Sequence, residues 1–203
     1  MVCVHPNPKM TATLPHQPEA DTAIQKSTHT FTEGLYQQVH TLGFALGDYD
    51  FLVVSDGSGY YKDSIGGAVT AIVPMFNADE TEFEPPLFVL LAQTNTTTSR
   101  MEFQGLLNGL NAIQQSSSYY PGCRVLWISD SQSTVDSVNG DAGAHQNGDL
   151  WVLFDYYAKD IVISAVHTSR DNKILLHNLC DLHSSNLREL LISYINESTN
   201  FKV

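Results

Sequence analysis

TTTSRME at Thr96–Glu102 opens a segment in which Phe103, Leu106, Leu107, Leu110 and Ile113 recur at helical spacing. The period then switches to that of a sheet: Arg124-Val-Leu-Trp-Ile128 is a buried-strand pattern, and it ends in ISDSQS at Ile128–Ser133, which places Asp130 28 residues after Glu102. A helix that begins at one acid and a strand that ends at another present both carboxylates at the rim of a rigid scaffold.

Upstream, the apolar run Phe51-Leu-Val-Val54 meets SDGSG at Ser55–Gly59 and then GGAVTAIV at Gly66–Val73, which predicts two strands joined by a polar, glycine-containing turn. Residues Asn77–Pro86 combine Asp79, Glu80, Glu82 and Glu84 with two prolines and read as a solvated loop before a third strand at Leu87–Ala92. Downstream, the turn-rich NGDAGAHQNGD precedes a helical pattern at Leu150–Tyr157, a fifth strand at Ile161–Val166 and a final helix from about Leu175 to Ile195. The order implies an α/β fold, a mixed sheet with helices packed on its faces.

Residues 1–48 read as an extension, largely flexible, with Pro6, Pro8, Pro15 and Pro18 in its first part. A short helix is allowed where Leu35, Val39, Leu42 and Phe44 cluster. Residues 49–200 form the expected single domain, and the extension offers a surface for a protein partner. The 203 residues suffice for one substantial core and suggest a monomer.

No apolar run approaches a membrane span, and the N-terminus lacks a signal-peptide pattern, so a cytoplasmic or nucleic-acid-associated intracellular protein, not a secreted one, is expected. Cys3, Cys123 and Cys180 are odd in number and widely spaced, which suggests neither a disulfide framework nor a cysteine zinc site. Ten Lys and Arg against 22 Asp and Glu give a formal charge of -12, which opposes general binding to a polyanion. Two divalent ions would reduce that to about -8.

Asp56, Glu102, Asp130 and Asp181 are the candidate acids, and each has a structural reading of its own. Asp56-Gly57 is a common hairpin dipeptide. Ser99-Arg-Met-Glu102 matches the S-x-x-E capping box. Asp130 could cap a helix starting at Ser131, and Asp181 could be an exposed helical acid or the i+4 partner of His177. His177, Cys180 and His183 invite a zinc reading, but their spacing spreads them round a helix and no fourth ligand is evident.

In combination, SDGSG, GGAVTAIV, TTTSRME, ISDSQS and the Cys180-Asp181 pair resemble the type I ribonuclease H family, whose active site reads Asp, Glu, Asp, Asp in chain order. The resemblance spans about Asp50 to Leu191 and implies a ribonuclease H-like α/β fold, a five-stranded mixed sheet whose first three strands are antiparallel, with helices on both faces. It implies a metal-dependent endonuclease that hydrolyses the RNA strand of an RNA/DNA hybrid, leaving 3'-hydroxyl and 5'-phosphate ends. Two Mg2+ ions, for which Mn2+ can substitute, would be held by Asp56, Glu102, Asp130 and Asp181. Gly57, Ser58, Thr98, Ser99 and Gln132 would contact the hybrid, and Thr97 would sit near a DNA-strand phosphate.

The resemblance also implies a mobile catalytic histidine before the last helix. His167 is the candidate, although its 14-residue distance to Asp181 is long for the family pattern, and His177 is the alternative. Thr98 and Ser99 stand where the family often has two asparagines. The region after the third acid contains no Lys or Arg, whereas many relatives carry a basic helix or loop there. Lys62, Arg100, Arg124, Arg170 and Lys173 remain as scattered cations, so substrate binding is expected to be weak and salt-sensitive. A nuclease of the same fold with another nucleic-acid substrate and a non-catalytic acidic interaction module are the competing functions.

Overall fold

The computed structural model describes residues 34–35, 37–75, 85–142, 146–169 and 174–200. Strands β1 (Phe51–Tyr60), β2 (Ile65–Pro74), β3 (Leu87–Thr94), β4 (Cys123–Ser129) and β5 (Ile161–His167) form one sheet in the order β3-β2-β1-β4-β5. β1 pairs antiparallel with β2, and β2 with β3, while β1–β4 and β4–β5 are parallel. The tight β1–β2 connection permits antiparallel pairing, whereas β4 and β5 are reached by crossovers containing helices. Those helices are α1 (Thr98–Gln115), α2 (Gln132–Asn139) and α3 (Gly148–Ala158), with α4 (Leu175–Asn200) closing the chain.

Alternation along the central strands divides the core in two. Phe51 and Val53 of β1 and Val125 and Trp127 of β4 pack with Phe103, Leu106, Leu107 and Leu110 of α1 and Leu150 of α3. Each such fully buried side chain contributes about 1.5–3 kcal/mol relative to exposure, so the 3.6-residue stripe of α1 anchors that helix on this face. Rings of Phe103 and Trp151, with centroids 4.4 Å apart, join α1 to α3. On the other face, Leu52, Val54, Leu126 and Ile128 meet Leu176 and Cys180 of α4, together with Leu35 and Val39. The latter two belong to the stretch expected as an extension; residues 37–41 are helical, and the Gln38 side-chain carbonyl accepts from the Leu175 amide at 2.8 Å.

The turn expected at SDGSG lies later in the chain. β1 continues through Asp56 (paired with Val69) to Tyr60, and the reversal occurs at residues 61–64. The glycines serve another purpose: a Cβ on Gly57 would lie 2.2 Å from the Glu102 amide nitrogen, and one on Gly59 would lie 2.6 Å from that of Thr98. They let the first turns of α1 lie directly on the strand.

The capping-box reading is likewise corrected. Thr97, extended at φ -132° and ψ 162°, is the N-cap of α1, and its hydroxyl accepts from the Arg100 amide at 3.2 Å. Ser99 is already inside the helix, so Glu102 lies beyond the third helical position that a capping box requires, and it is on the buried side. No helix among the described residues is long and apolar enough to cross a membrane.

Candidate active site

Asp56 and Asp130 come together through sheet register. Val54 and Ile128 are partners across the parallel β1–β4 pair, and both side chains point to the α4 face. Two residues further along each chain, the period-two alternation brings Asp56 and Asp130 to the same face, where the strands leave the core. Ser129 ends β4, so Asp130 is held at the rim; Ser131, not Asp130, is the N-cap of α2.

Helix α4 closes this end with one stripe of side chains. His177, Asp181, Ser184 and Arg188 follow one another at helical intervals of three and four and so share one side. Close approach is possible because β2 has Gly67 beneath the helix, where a Cβ would stand 2.4 Å from the Ser184 carbonyl oxygen. His177, Cys180 and Ser184 are fully buried. The Ser184 hydroxyl donates to Asp56 Oδ2 at 2.6 Å, and it lies 3.0 Å from the Asp181 carbonyl oxygen. The Cys180 thiol donates to the Val54 carbonyl at 3.4 Å, and burial pushes its pKa up to about 12. Cys180 and Asp181 therefore face different ways, and Cys180 is occupied with strand β1.

A cleft of about 270 Å³ results, lined by Asp56, Gly57, Ser58, Gly59, Thr98, Glu102, Asp130, Asp181, Ser185 and Arg188. Asp56 and Glu102 are buried, Asp130 is half-buried and Asp181 is exposed. His177 is not one of the lining residues but is buried beside two of them: one ligand atom each from Asp56, Asp130 and His177 lie within 4.8 Å of one another, and His177 Nε2 is 3.7 Å from Asp130 Oδ1. Four carboxylates lining one cleft are of a kind that suits hard divalent cations, because neighbouring negative oxygens are offset by an ion of charge +2.

Gly57, Ser58 and Thr98 line the cleft, and the Thr98 hydroxyl donates to the Gly59 carbonyl at 3.5 Å. The remaining sequence candidates lie elsewhere. Thr97 is engaged in capping. Ser99 lines a neighbouring pocket with Phe103, Ser133 and Trp151. Gln132 opens α2 and donates its side-chain amide to Asp136. His167 ends β5, paired with Ser129, and is half-buried without lining the cleft.

The cations also separate. Arg100 forms a two-pronged pair with Asp149, its Nη1 donating to Oδ1 at 2.8 Å, which ties the start of α1 to the start of α3. That guanidinium hydrogen bond lowers the Asp149 pKa to about 2. Arg124 stacks 5.4 Å from the centre of the Tyr49 ring at the opposite end of β4, while Arg170 and Lys173 lie outside the described residues. The cation in the cleft is Arg188, which donates to the Ser58 hydroxyl and to Glu189. Ser184 and Arg188 escaped the sequence reading, although stepping three and seven residues from Asp181 along a helix would have found them.

No family model matches the sequence, and no curated protein matches it. Among solved structures, the chain is similar to the N-terminal RNase H domain of a Mycobacterium tuberculosis protein, solved as a fusion with maltose binding protein. The TM-score is 0.51 at 16% identity, over 73% of this chain and 97% of that one. The likeness is one of fold: the five-stranded mixed sheet and its flanking helices have the RNase H-like arrangement.

Proposed function

We propose that this chain is a type I ribonuclease H-like endonuclease that hydrolyses the RNA strand of RNA/DNA hybrids. The observation that carries the reading is the convergence of Asp56, Glu102, Asp130 and Asp181 on one cleft at the end of an RNase H-like sheet. The activity is assigned to residues 49–200, with residues 1–48 as an extension open to a protein partner.

Two magnesium ions, or manganese in their place, would be held by Asp56, Glu102, Asp130 and Asp181 and would supply water activation and stabilisation of the departing 3' oxygen. The side chains contribute rigidity. Asp56 is fixed by the Ser184 hydroxyl, and Glu102 by the seating of α1 on Gly57. Gly57, Ser58 and Thr98 present backbone and small hydroxyl groups suited to 2'-hydroxyl recognition in a shallow RNA groove. Arg188 adds one positive charge where a phosphate would enter, against a chain total of -12. Binding is accordingly expected to weaken steeply with salt.

The test is cleavage of an end-labelled RNA/DNA duplex in Mg2+ and in Mn2+, beside single-stranded RNA and double-stranded DNA. Cleavage of the hybrid alone, with 3'-hydroxyl and 5'-phosphate products, is expected. Asp130→Asn should retain the fold and lose at least about 100-fold in rate, since even outer-shell partners of metal sites act on that scale. Cleavage of another nucleic acid in preference would move the assignment to a different substrate. No cleavage in either metal would leave the strongly acidic surface as an interaction module.

A further inference from the structure

Behind the lining of the cleft, a residue outside the carboxylate set is buried against two of the acids. His177 is fully buried, whereas Asp181, one turn further along α4, is exposed. The imidazole cannot swing out to solvent without lifting α4 off β1, because Leu176 and Cys180 beside it are themselves buried in the core. Its Nε2 stands 3.7 Å from Asp130 Oδ1, and a ring nitrogen, an Asp56 oxygen and an Asp130 oxygen lie within 4.8 Å of one another. Donors on one six-coordinate ion with bonds of about 2.1 Å are about 3.0 Å apart when adjacent and about 4.2 Å apart when opposite. The 3.7 Å separation falls inside that window, and any wider one closes with side-chain movement of at most about 0.6 Å.

Resting on the metal-dependent reading above, we infer that His177 supplies an imidazole nitrogen to an ion shared with Asp56 and Asp130, making this a mixed nitrogen–oxygen site that prefers Mn2+ to Mg2+. Two carboxylates and one neutral imidazole balance a divalent ion with no residual charge in an enclosed place. A nitrogen donor favours the transition-metal series, whereas magnesium selects oxygen. Asp181, at the exposed side, is left to the second ion. This trio replaces the His177, Cys180 and His183 grouping weighed from sequence: Cys180 bonds to the Val54 carbonyl and His183 is exposed.

Pulsed EPR of the full chain with one equivalent of Mn2+ alone tests this. Directly coordinated 14N modulation is expected, changing to the 15N pattern when the protein is made with 15N-labelled histidine and vanishing in His177→Asn. Calorimetry should show Mn2+ bound at least about tenfold more tightly than Mg2+, with that ratio lost in His177→Asn. Bound Mn2+ without histidine coupling in the wild-type protein, or coupling that survives His177→Asn, overturns the inference and leaves the carboxylate site standing. Binding of neither metal overturns both. If His177→Asn fails to fold, His177→Gln, closer to the imidazole in length, takes its place in the same measurements.

Discussion

Replacing Gly57 by alanine puts a methyl group where the backbone of α1 already lies. The new Cβ would be 2.2 Å from the Glu102 nitrogen, 2.5 Å from the Met101 carbonyl carbon and 2.7 Å from the Glu102 Cα. Ordinary contact begins near 3.4 Å, so the shortest of these is about 1.2 Å too close, and the obstacle is helix backbone rather than a side chain that could rotate away. Either α1 lifts off β1 or β1 bends. Overpacking of this kind costs about 3 kcal/mol, the upper end of its usual range, which for a domain of this size lowers Tm by roughly 6–12 °C. Because the displaced residue is Glu102 itself, a shift near 1 Å should also reduce hybrid cleavage about 100-fold. Differential scanning calorimetry beside the cleavage assay reads both effects. Gly148→Ala is the control: at the first residue of α3 its Cβ meets nothing within 4 Å, and a gain of about 0.4–1 kcal/mol is expected. Should Gly57→Ala melt within about 2 °C of the wild type, less than one kcal/mol would have been lost and the proposed reason for the glycine would be wrong.

Ser184→Ala removes the hydroxyl that donates to Asp56 at 2.6 Å in a fully buried position; a loss of about 1.5–3 kcal/mol in urea unfolding is expected, and an unchanged midpoint would mean that Asp56 is held by other groups. The Asp149 carboxyl, bonded to the Arg100 guanidinium, should titrate at about 2 in the folded protein, below its ordinary 3.8. Its contribution to stability is therefore complete above the ordinary value and disappears as pH falls through about 2; carboxyl-carbon NMR should find this titration, returned to the ordinary range in Arg100→Ala. For Cys180 the sign is opposite: burial raises the folded value to about 12, so the neutral thiol is favoured and stability declines as pH rises above the ordinary 9.0 toward 12. Iodoacetamide at pH near 8.5 should modify Cys180 only as fast as α4 opens, and modification at the rate of a denatured control would contradict its burial.

Much of this architecture is legible in residue order. Apolar alternation and helical stripes mark all five strands and the helices at Thr98, Leu150 and Leu175, because those patterns reflect which side of a single element faces the core. Asp56, Glu102, Asp130 and Asp181 were recognisable as one set through their flanking motifs. Taken alone, Asp56, Glu102 and Asp130 read first as turn or capping residues and Asp181 as an exposed helical acid or the partner of His177, a difference that no local pattern resolves. Where the local readings failed, a neighbouring element was responsible. SDGSG looks like a turn, but its glycines are cut to the surface of α1 and the strand runs on. Ser99 looks like a cap, yet the chain enters the helix two residues earlier, at Thr97.

Sequence by itself determined the order of the five strands and of the helices at Thr98, Leu150 and Leu175 and singled out the candidate acids, since both are written in spacing along one chain. Tertiary structure alone decided which of those residues share a cleft. The pairing of Val54 with Ile128 puts Asp56 beside Asp130, and the landing of α4 on Gly67 buries His177 and Ser184 there while Asp181 stays exposed. Those are contacts between segments separated by dozens of residues, fixed by sheet register and helix approach. Neither quantity has a local signature in the chain.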